Sequence, residues 1–259
     1  MVNNKYELAS RIKEAEPVMK ETYIVNKCRN KMVLDLGCIR HNAEYALKDP
    51  AWLHAKIKEV AAKVTGVDYL LEEIEKLKKH GYDIIFADVT QPMEIKEKYD
   101  VIVAGDLIEH LLNVEGFFVN CRNLLKSNGM LIITTPNPFY SDEFHYVSFK
   151  NNYLVNPEHT CWIDPQCLSQ LSKRMGFDIT ELYFIKHSWE LKNLICETKQ
   201  HQYDILNGRW LNETLWRKIK KRIVGPMFGV FYSIYKKLSI TDSKLVKYSD
   251  YLAVLEKKK

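Results

Sequence analysis

No two of the six cysteines in this 259-residue chain (Cys28, Cys38, Cys121, Cys161, Cys167 and Cys196) form a C-x-x-C pair. Their scatter excludes a zinc knuckle and a disulfide framework. With no signal-peptide pattern after Met1, it predicts a reduced, cytoplasmic protein. Long apolar runs are also missing. The stretch Ile223–Tyr235 is uncharged but too short for a bilayer, and Gly225 and Pro226 interrupt it, so no transmembrane helix is expected. Glycine and proline are sparse, ten and eight, and there is neither a low-complexity tract nor an internal repeat. A collagen-like, coiled-coil or disordered chain is thereby excluded.

What is present suits a globular domain with a sizeable core: 46% hydrophobic, 12% aromatic and 27% charged residues. The net charge of +5 is unevenly spread. Arg209–Lys259 hold 13 basic and 4 acidic residues, whereas the first 208 residues carry 25 basic and 29 acidic. A slightly acidic body therefore carries a basic segment, which calls for a local explanation.

Residues 1–30 read as an amphipathic lead-in helix. After them apolar strands alternate with helices: strands at 32–36, 64–68, 83–88, 101–104 and 130–134, helices at 51–63, 69–80 and through Phe117–Leu125. Glu72/Lys76 and Glu75/Lys79 are expected to pair on the solvated face of the 69–80 helix. Past an aromatic-rich connection (136–164), a helix at 165–175 and a strand at 177–185 follow, and a last strand covers 251–255. Continuous apolar strands interleaved with helices specify a parallel sheet covered on both faces. The expected architecture is a doubly wound, mostly parallel α/β sheet of seven strands over residues 31–259. A basic helical insertion at 190–246 precedes the last strand.

In such a sheet, ligands bind beyond the carboxyl ends of the strands. Three successive ends carry Asp35 with Gly37, then Asp68, then Asp88. An acid after the second strand can take both ribose hydroxyls of a nucleoside, and one after the third can reach an adenine amino group. Gly37 lets backbone approach a ligand closely. Asp35 and Asp88 can alternatively cap the helices that follow. Together the three point to a nucleoside site, and a nicotinamide dehydrogenase is disfavoured because no Gly-x-Gly-x-x-Gly is present.

VLDLGC (33–38), GVD (66–68), YDVIVAG (99–105) with IEHL (108–111), and LKSNGMLIITTPNP (125–138) together resemble class I S-adenosylmethionine-dependent methyltransferases over residues 31–185. The resemblance implies S-adenosyl-L-methionine as cofactor. It implies the methionine part on the Gly37 loop, the ribose on Asp68, the adenine on Asp88 and Val89, and a terminal antiparallel hairpin. Asp35 and Asp106, at the ends of strands one and four, complete the expected cofactor-facing set. Two departures stand out. The loop has one glycine, reading Gly37-Cys38-Ile39-Arg40-His41, and the span from Gly37 to Asp68 is lengthened around Trp52-Leu53-His54. These keep an inactive cofactor-binding scaffold as an alternative.

A sugar or ribose hydroxyl barely ionises at neutral pH, so its methylation needs a base or a metal. Asp106, Glu109 and His110 have i, i+3, i+4 spacing and would share one helical face. That set suits proton handling or a hard cation such as Mg²⁺ or Mn²⁺, and imidazole admits iron or zinc. The IEH run followed by EHTCW (158–162) is similar to ubiquinone-pathway O-methyltransferases and, more distantly, to small-RNA 2′-O-methyltransferases. The resemblance implies His110, Glu109 and His159 as catalytic residues, and Asp106, Glu109, His110 and His159 as divalent-metal ligands. An ordinary reading has Glu109 complementing a helix N-terminus and His110 buried.

TTPNPF followed by E-H-x-x-W also looks like methyltransferases of surface-glycan assembly. This makes a saccharide or lipid-linked glycan hydroxyl the first-choice acceptor, with an RNA 2′-hydroxyl or a quinol as the alternative. Aromatics from Phe139 to Tyr153 can stack on sugars or pack under a lid. The basic run Arg217–Arg222 reads first as a solvated face, then as a contact with an anionic membrane surface, and third as a nucleic-acid contact.

Overall fold

A computed structural model of the chain describes residues 12, 15–143, 147, 156–186 and 244–258. Its strands are β1 (Pro17–Val18), β2 (Met32–Leu36), β3 (Lys63–Asp68), β4 (Ile84–Phe86), β5 (Tyr99–Gly105), β6 (Leu125–Pro136), β7 (Phe177–Ile185) and β8 (Asp250–Lys257). Its helices are α1 (Lys20–Cys28), α2 (Ala43–Lys48), α3 (Leu53–Val60), α4 (Leu71–Lys79), α5 (Val114–Leu124), α6 (Pro165–Arg174) and α7 (Lys244–Lys247). One 3-10 turn, Ile108–His110, follows β5.

All eight strands join one sheet in the order β1-β7-β8-β6-β5-β2-β3-β4. The run β6-β5-β2-β3-β4 is parallel. β8 runs antiparallel between β6 and β7, the expected terminal hairpin. Successive strand residues face opposite sides. Leu34, Ile102, Leu131 and Ile133 enter one buried cluster with Phe117, Phe118 and Leu124 of α5 and Leu168 of α6. Val33, Val101, Val103 and Ile132 enter the other, with Ile24 and Cys28 of α1 and Ile57 of α3. The central strands β2, β5 and β6 are thus buried on both faces, which is why their apolar runs are continuous rather than alternating.

Four expectations change. The sheet has eight strands rather than seven, because Pro17–Val18 pairs with Phe184–Ile185 of β7. The stretch 1–30 therefore is not one lead-in helix. A proline is tolerated there because an edge strand needs no bond from that nitrogen, while the Val18 carbonyl accepts from Lys186 N–H at 2.8 Å. The helix expected at 51–63 is shorter, and α2 precedes it, N-capped by the Asn42 side chain. On α4 the ion pairs are Lys76–Glu73 and Lys78–Glu75, three residues apart rather than four. The basic insertion at 190–246, with the run Arg217–Arg222, lies outside the described residues except for α7. Among the described residues no helix is long and apolar enough to cross a membrane.

The strand order reverses between β2 and β5: the connection leaving β2 runs to β3 on one side and the one leaving β5 runs to β6 on the other, and this is where such sheets bind ligands. α5 clamps the loop beyond β4 through one face. Asn120 donates to the Val89 and Gln91 carbonyls at 2.8 and 2.6 Å, and Asn113 to Thr90 O at 3.3 Å. Gly116 lies between them, and a Cβ there would stand 2.0 Å from the Thr90 carbonyl oxygen. Gly116→Ala gains about 1 kcal/mol of helix propensity but incurs an overpacking cost of about 1–3 kcal/mol against backbone. Thermal melts should show net destabilisation. A variant more stable than wild type would mean that α5 does not bear on this loop.

Candidate active site

The carboxyl ends of β2, β3, β4 and β5 carry the residues that the sequence leads one to expect beside a cofactor. Gly37 follows β2 with φ +68°, and a Cβ on it would meet Leu107 Cδ1 at 2.9 Å. Only glycine takes that conformation and approach without strain. Asp68, buried at the end of β3, accepts from the backbone N–H groups of Ile39 (2.9 Å), Tyr69 (2.8 Å) and Leu70 (3.2 Å). An ionised carboxylate has about four acceptor positions, so Asp68 retains capacity for a further donor. Burial pushes its pKa up, against the pull of those three N–H bonds. Asp88 is exposed and turns the chain by accepting from Thr90 N–H and Oγ1 at 2.8 and 2.7 Å, while Val89 beside it is buried. Asp35 is buried and bonded to His54 Nδ1 at 2.9 Å rather than capping the next helix.

Beyond β5 the chain makes a left-handed turn at Asp106 (φ +52°), a conformation that aspartate tolerates better than most residues. It is secured from β6: Thr134 Oγ1 donates to Asp106 Oδ1 at 2.7 Å, and the Asp106 N–H reaches Thr134 O at 3.0 Å. The ammonium of Lys20, from α1, pairs with Asp106 Oδ2. Burial works against the charged ammonium, but the Asp106 charge and hydrogen bond, with Asp250 and Glu21, outweigh it and raise the lysine pKa.

The next turn carries Glu109 and His110. Glu109 is 2% exposed. Its Oε2 accepts from Thr135 Oγ1 at 2.9 Å, and its Oε1 is buried without a hydrogen-bond partner among the described residues. Burial and the Asp106 charge lift its pKa from 4.5 to about 7. The Glu109 carbonyl accepts from Thr160 N–H (2.8 Å) and Oγ1 (3.1 Å), which docks the 156–161 segment onto this turn. His159 is thereby brought edge-on to His110, with ring centroids 4.7 Å apart. Ligating atoms of Glu109, His110 and His159 all lie within 4.8 Å of one another. His110 Nδ1 stands 3.2 Å from the Glu158 carbonyl, leaving Nε2 for another partner. Desolvation, then His110, lower the His159 pKa, which keeps its ring neutral at pH 7.

Asp106 stands apart from this cluster. The sequence spacing groups it with Glu109 and His110 as a metal ligand, but residues 108–110 form a 3-10 turn rather than an α-helix. The Asp106 carboxylate goes instead to Lys20 and Thr134. Three of the four expected ligands therefore meet.

A cavity of about 240 Å³ opens beside Glu109 and His159, lined also by Thr135, Asn137, Tyr140, Trp162 and Asp250. Asn137 helps close it: its N–H and its Nδ2 donate to the Ser249 and Tyr248 carbonyls at 2.7 and 2.8 Å, tying β6 to the segment before β8. Of the aromatic loop from Phe139 to Tyr153, the rings of Phe139 and Tyr140 are described, and Phe144–Tyr146, Phe149 and Tyr153 lie outside the described residues. A larger cavity of about 600 Å³ lies at the β4 edge, lined by Asp83, Phe86, Asp88, Met93 and Tyr99. It holds none of the Glu109 cluster. Lys20, Thr134, Thr135 and Asp250 escaped the reading from sequence. The two threonines carried a signal, since polar side chains at the end of an otherwise apolar strand need partners. For Lys20 and Asp250 nothing local marked them.

A family model described as a methyltransferase domain matches residues 5–182. The chain belongs to this family, within the class I S-adenosylmethionine-dependent group. Among individual proteins, it is 27% identical over 208 residues to a ubiquinone biosynthesis O-methyltransferase of Histophilus somni, covering 73% of this chain and 75% of that protein. It is 28% identical over 118 residues to the Glaesserella parasuis protein of the same name, covering 41% and 46%. The chain thus spans about half the length of several curated relatives it matches. Solved structures share the fold. A SAM-dependent methyltransferase from Archaeoglobus fulgidus aligns with TM-score 0.53 and 18% identity over 91% of this chain and 90% of that one. A Brevibacillus brevis polyketide-synthase O-methyltransferase, solved with S-adenosyl-L-homocysteine, aligns with TM-score 0.51 and 17% identity over 98% and 75%.

Because the folded chain holds the Glu109 proton to higher pH than the unfolded chain, unfolding releases a proton between about pH 4.5 and 7. Stability should fall with rising pH across that window, by at most about 3 kcal/mol. Denaturation curves in EDTA from pH 5 to 8 should show this slope reduced in Glu109→Gln, and equal slopes in both proteins would contradict the buried carboxylate.

Proposed function

We propose that the protein transfers a methyl group from S-adenosylmethionine to a hydroxyl oxygen of a saccharide or glycolipid acceptor. The observation that carries the reading is Glu109: a buried carboxylate whose Oε1 has no partner among the described residues, beside a pocket at the carboxyl ends of β5 and β6. In the transfer, the acceptor oxygen forms a bond to the methyl carbon as the carbon–sulfur bond breaks. The sulfonium becomes the neutral thioether of S-adenosylhomocysteine, and the hydroxyl proton passes to Glu109. Thr135 fixes the other oxygen of the carboxylate, so the free one keeps its direction. Asp68 and the Gly37 loop supply the ribose and methionine contacts, Asp88 and Val89 the adenine edge. Lys20 and Asp106 offer opposite charges beside the cofactor's amino-acid end. Asn137, Asn156 and Asp250 with the Tyr140 and Trp162 rings give the pocket the mix of hydrogen-bonding and aromatic surface that suits a sugar.

The same cluster fits a divalent cation. Glu109 Oε1 and the ring nitrogens of His110 and His159 are a carboxylate-imidazole donor set, and the Glu158 carbonyl orients His110 as an outer partner does for a ligating histidine. A bound Mg²⁺, Mn²⁺, Fe²⁺ or Zn²⁺ would act as a Lewis acid on the acceptor oxygen. A quinol acceptor is the second reading, favoured by the ubiquinone-pathway relatives. Contact with an anionic membrane through the basic run Arg217–Arg222 would suit a lipid-linked acceptor at the cytoplasmic membrane face.

Calorimetry should detect S-adenosylmethionine binding that Asp68→Ala weakens by about tenfold or more, and absence of wild-type binding at millimolar cofactor would sink the reading. With radiolabelled methyl donor, saccharide acceptors should be labelled, and Glu109→Gln should lower kcat by about 10²- to 10⁴-fold without weakening cofactor binding. Labelling of a catechol or quinol but of no saccharide would select the second acceptor class. Activity that EDTA leaves untouched would remove the cation.

A further inference from the structure

The lengthened span between Gly37 and Asp68 holds three consecutive residues, Trp52, Leu53 and His54, each of which touches a different part of the switch point. Trp52, 3% exposed, donates its indole N–H to the Cys38 carbonyl at 2.7 Å. Leu53 Cδ2 comes within 3.7 Å of where a Cβ on Gly105 would sit, at the end of β5. His54, 1% exposed, holds the Asp35 carboxylate at the end of β2. The loop they meet, Gly37-Cys38-Ile39-Arg40-His41, contains a single glycine. Cys38 and Ile39 turn their side chains inward, 5% and 8% exposed, against Ala43, Ala46, Trp52 and Ile74. Besides Gly37, the loop takes a second left-handed turn at His41, with φ +62°.

A loop built from side chains rather than glycines buries its own carbonyls, and each needs a donor. The indole meets that need at Cys38, while the Ile39 N–H is taken by Asp68 at 2.9 Å. His54 adds an argument against simple packing. Its Nε2 is buried without a partner among the described residues, which is a cost that an apolar residue at the same place would not carry. A polar pair kept at that cost is best placed to set geometry rather than to add stability.

We infer that Trp52, His54 and Asp35 are positioning residues that hold the single-glycine loop in its cofactor-binding shape. The inference rests on the cofactor reading above. It adds that affinity for the methionine end of the cofactor depends on a buried indole N–H that itself touches no ligand.

Trp52→Phe keeps an aromatic ring and removes the N–H. Titrated by calorimetry, it should bind S-adenosylhomocysteine about tenfold more weakly than wild type. It should bind 5′-methylthioadenosine, which lacks the amino-acid end, with unchanged affinity. Ile74→Val, in the same buried cluster, controls for general loosening: it should lower the melting temperature and leave both affinities alone. If Trp52→Phe does not fold, the same comparison with His54→Gln decides. Equal losses for both ligands, or no loss for either, would overturn the positioning role. Wild-type protein that binds neither ligand would instead bring down the cofactor reading itself.

Discussion

The reversal of strand order between the paired strands β2 and β5, at the middle of the parallel sheet, is the constraint from which the functional end of the molecule follows. Strands on one side of it proceed to β3 and β4, those on the other to β6, so the loops leaving β2 and β5 part and open a crevice. The Gly37 loop and the Asp106 turn are the two lips of that crevice. Both are held by hydrogen bonds from the sheet: Gly37 N–H to Val67 O at 2.8 Å, and Asp106 N–H to Thr134 O at 3.0 Å. Without the sheet's order neither loop would face the other.

Behind these loops stand two buried carboxylates that differ in their partners. At the end of β3, Asp68 is surrounded by backbone donors that oppose its desolvation. On the turn after β5, Glu109 has a single hydroxyl partner among the described residues and a neighbouring Asp106 charge, and its pKa climbs to about 7. Two carboxylates some forty residues apart in the chain are thus prepared for different work by the number of donors each receives. A group poised near neutrality suits proton transfer, and one rich in N–H bonds suits recognition of hydroxyls.

Much of the parallel core was legible because apolar strands buried on both faces leave continuous runs: 32–36, 64–68, 101–104 and 130–134 all lie within strands of the sheet. Pro17–Val18 was not, since a two-residue edge strand has too few side chains to show a period. The acidic strand ends and the IEH and EHTCW motifs pointed to the right neighbourhood. They misplaced Asp106, because an i, i+3, i+4 argument assumes an α-helix and the segment makes a 3-10 turn after a left-handed residue.

Local order and chemical inventory were therefore written in the chain: which residues form strands, where acids stand at their ends, and which histidines follow a glutamate. Those properties depend on side-chain periodicity and on neighbours a few residues away. The partners were decided only by folding. Lys20 meets Asp106 across 86 positions, Thr135 meets Glu109 across 26, and Thr160 carries His159 to His110 across some fifty. Each pairing sets a charge, a direction or a proton affinity through burial and distance, and neither quantity exists until the sheet has brought its strand ends together.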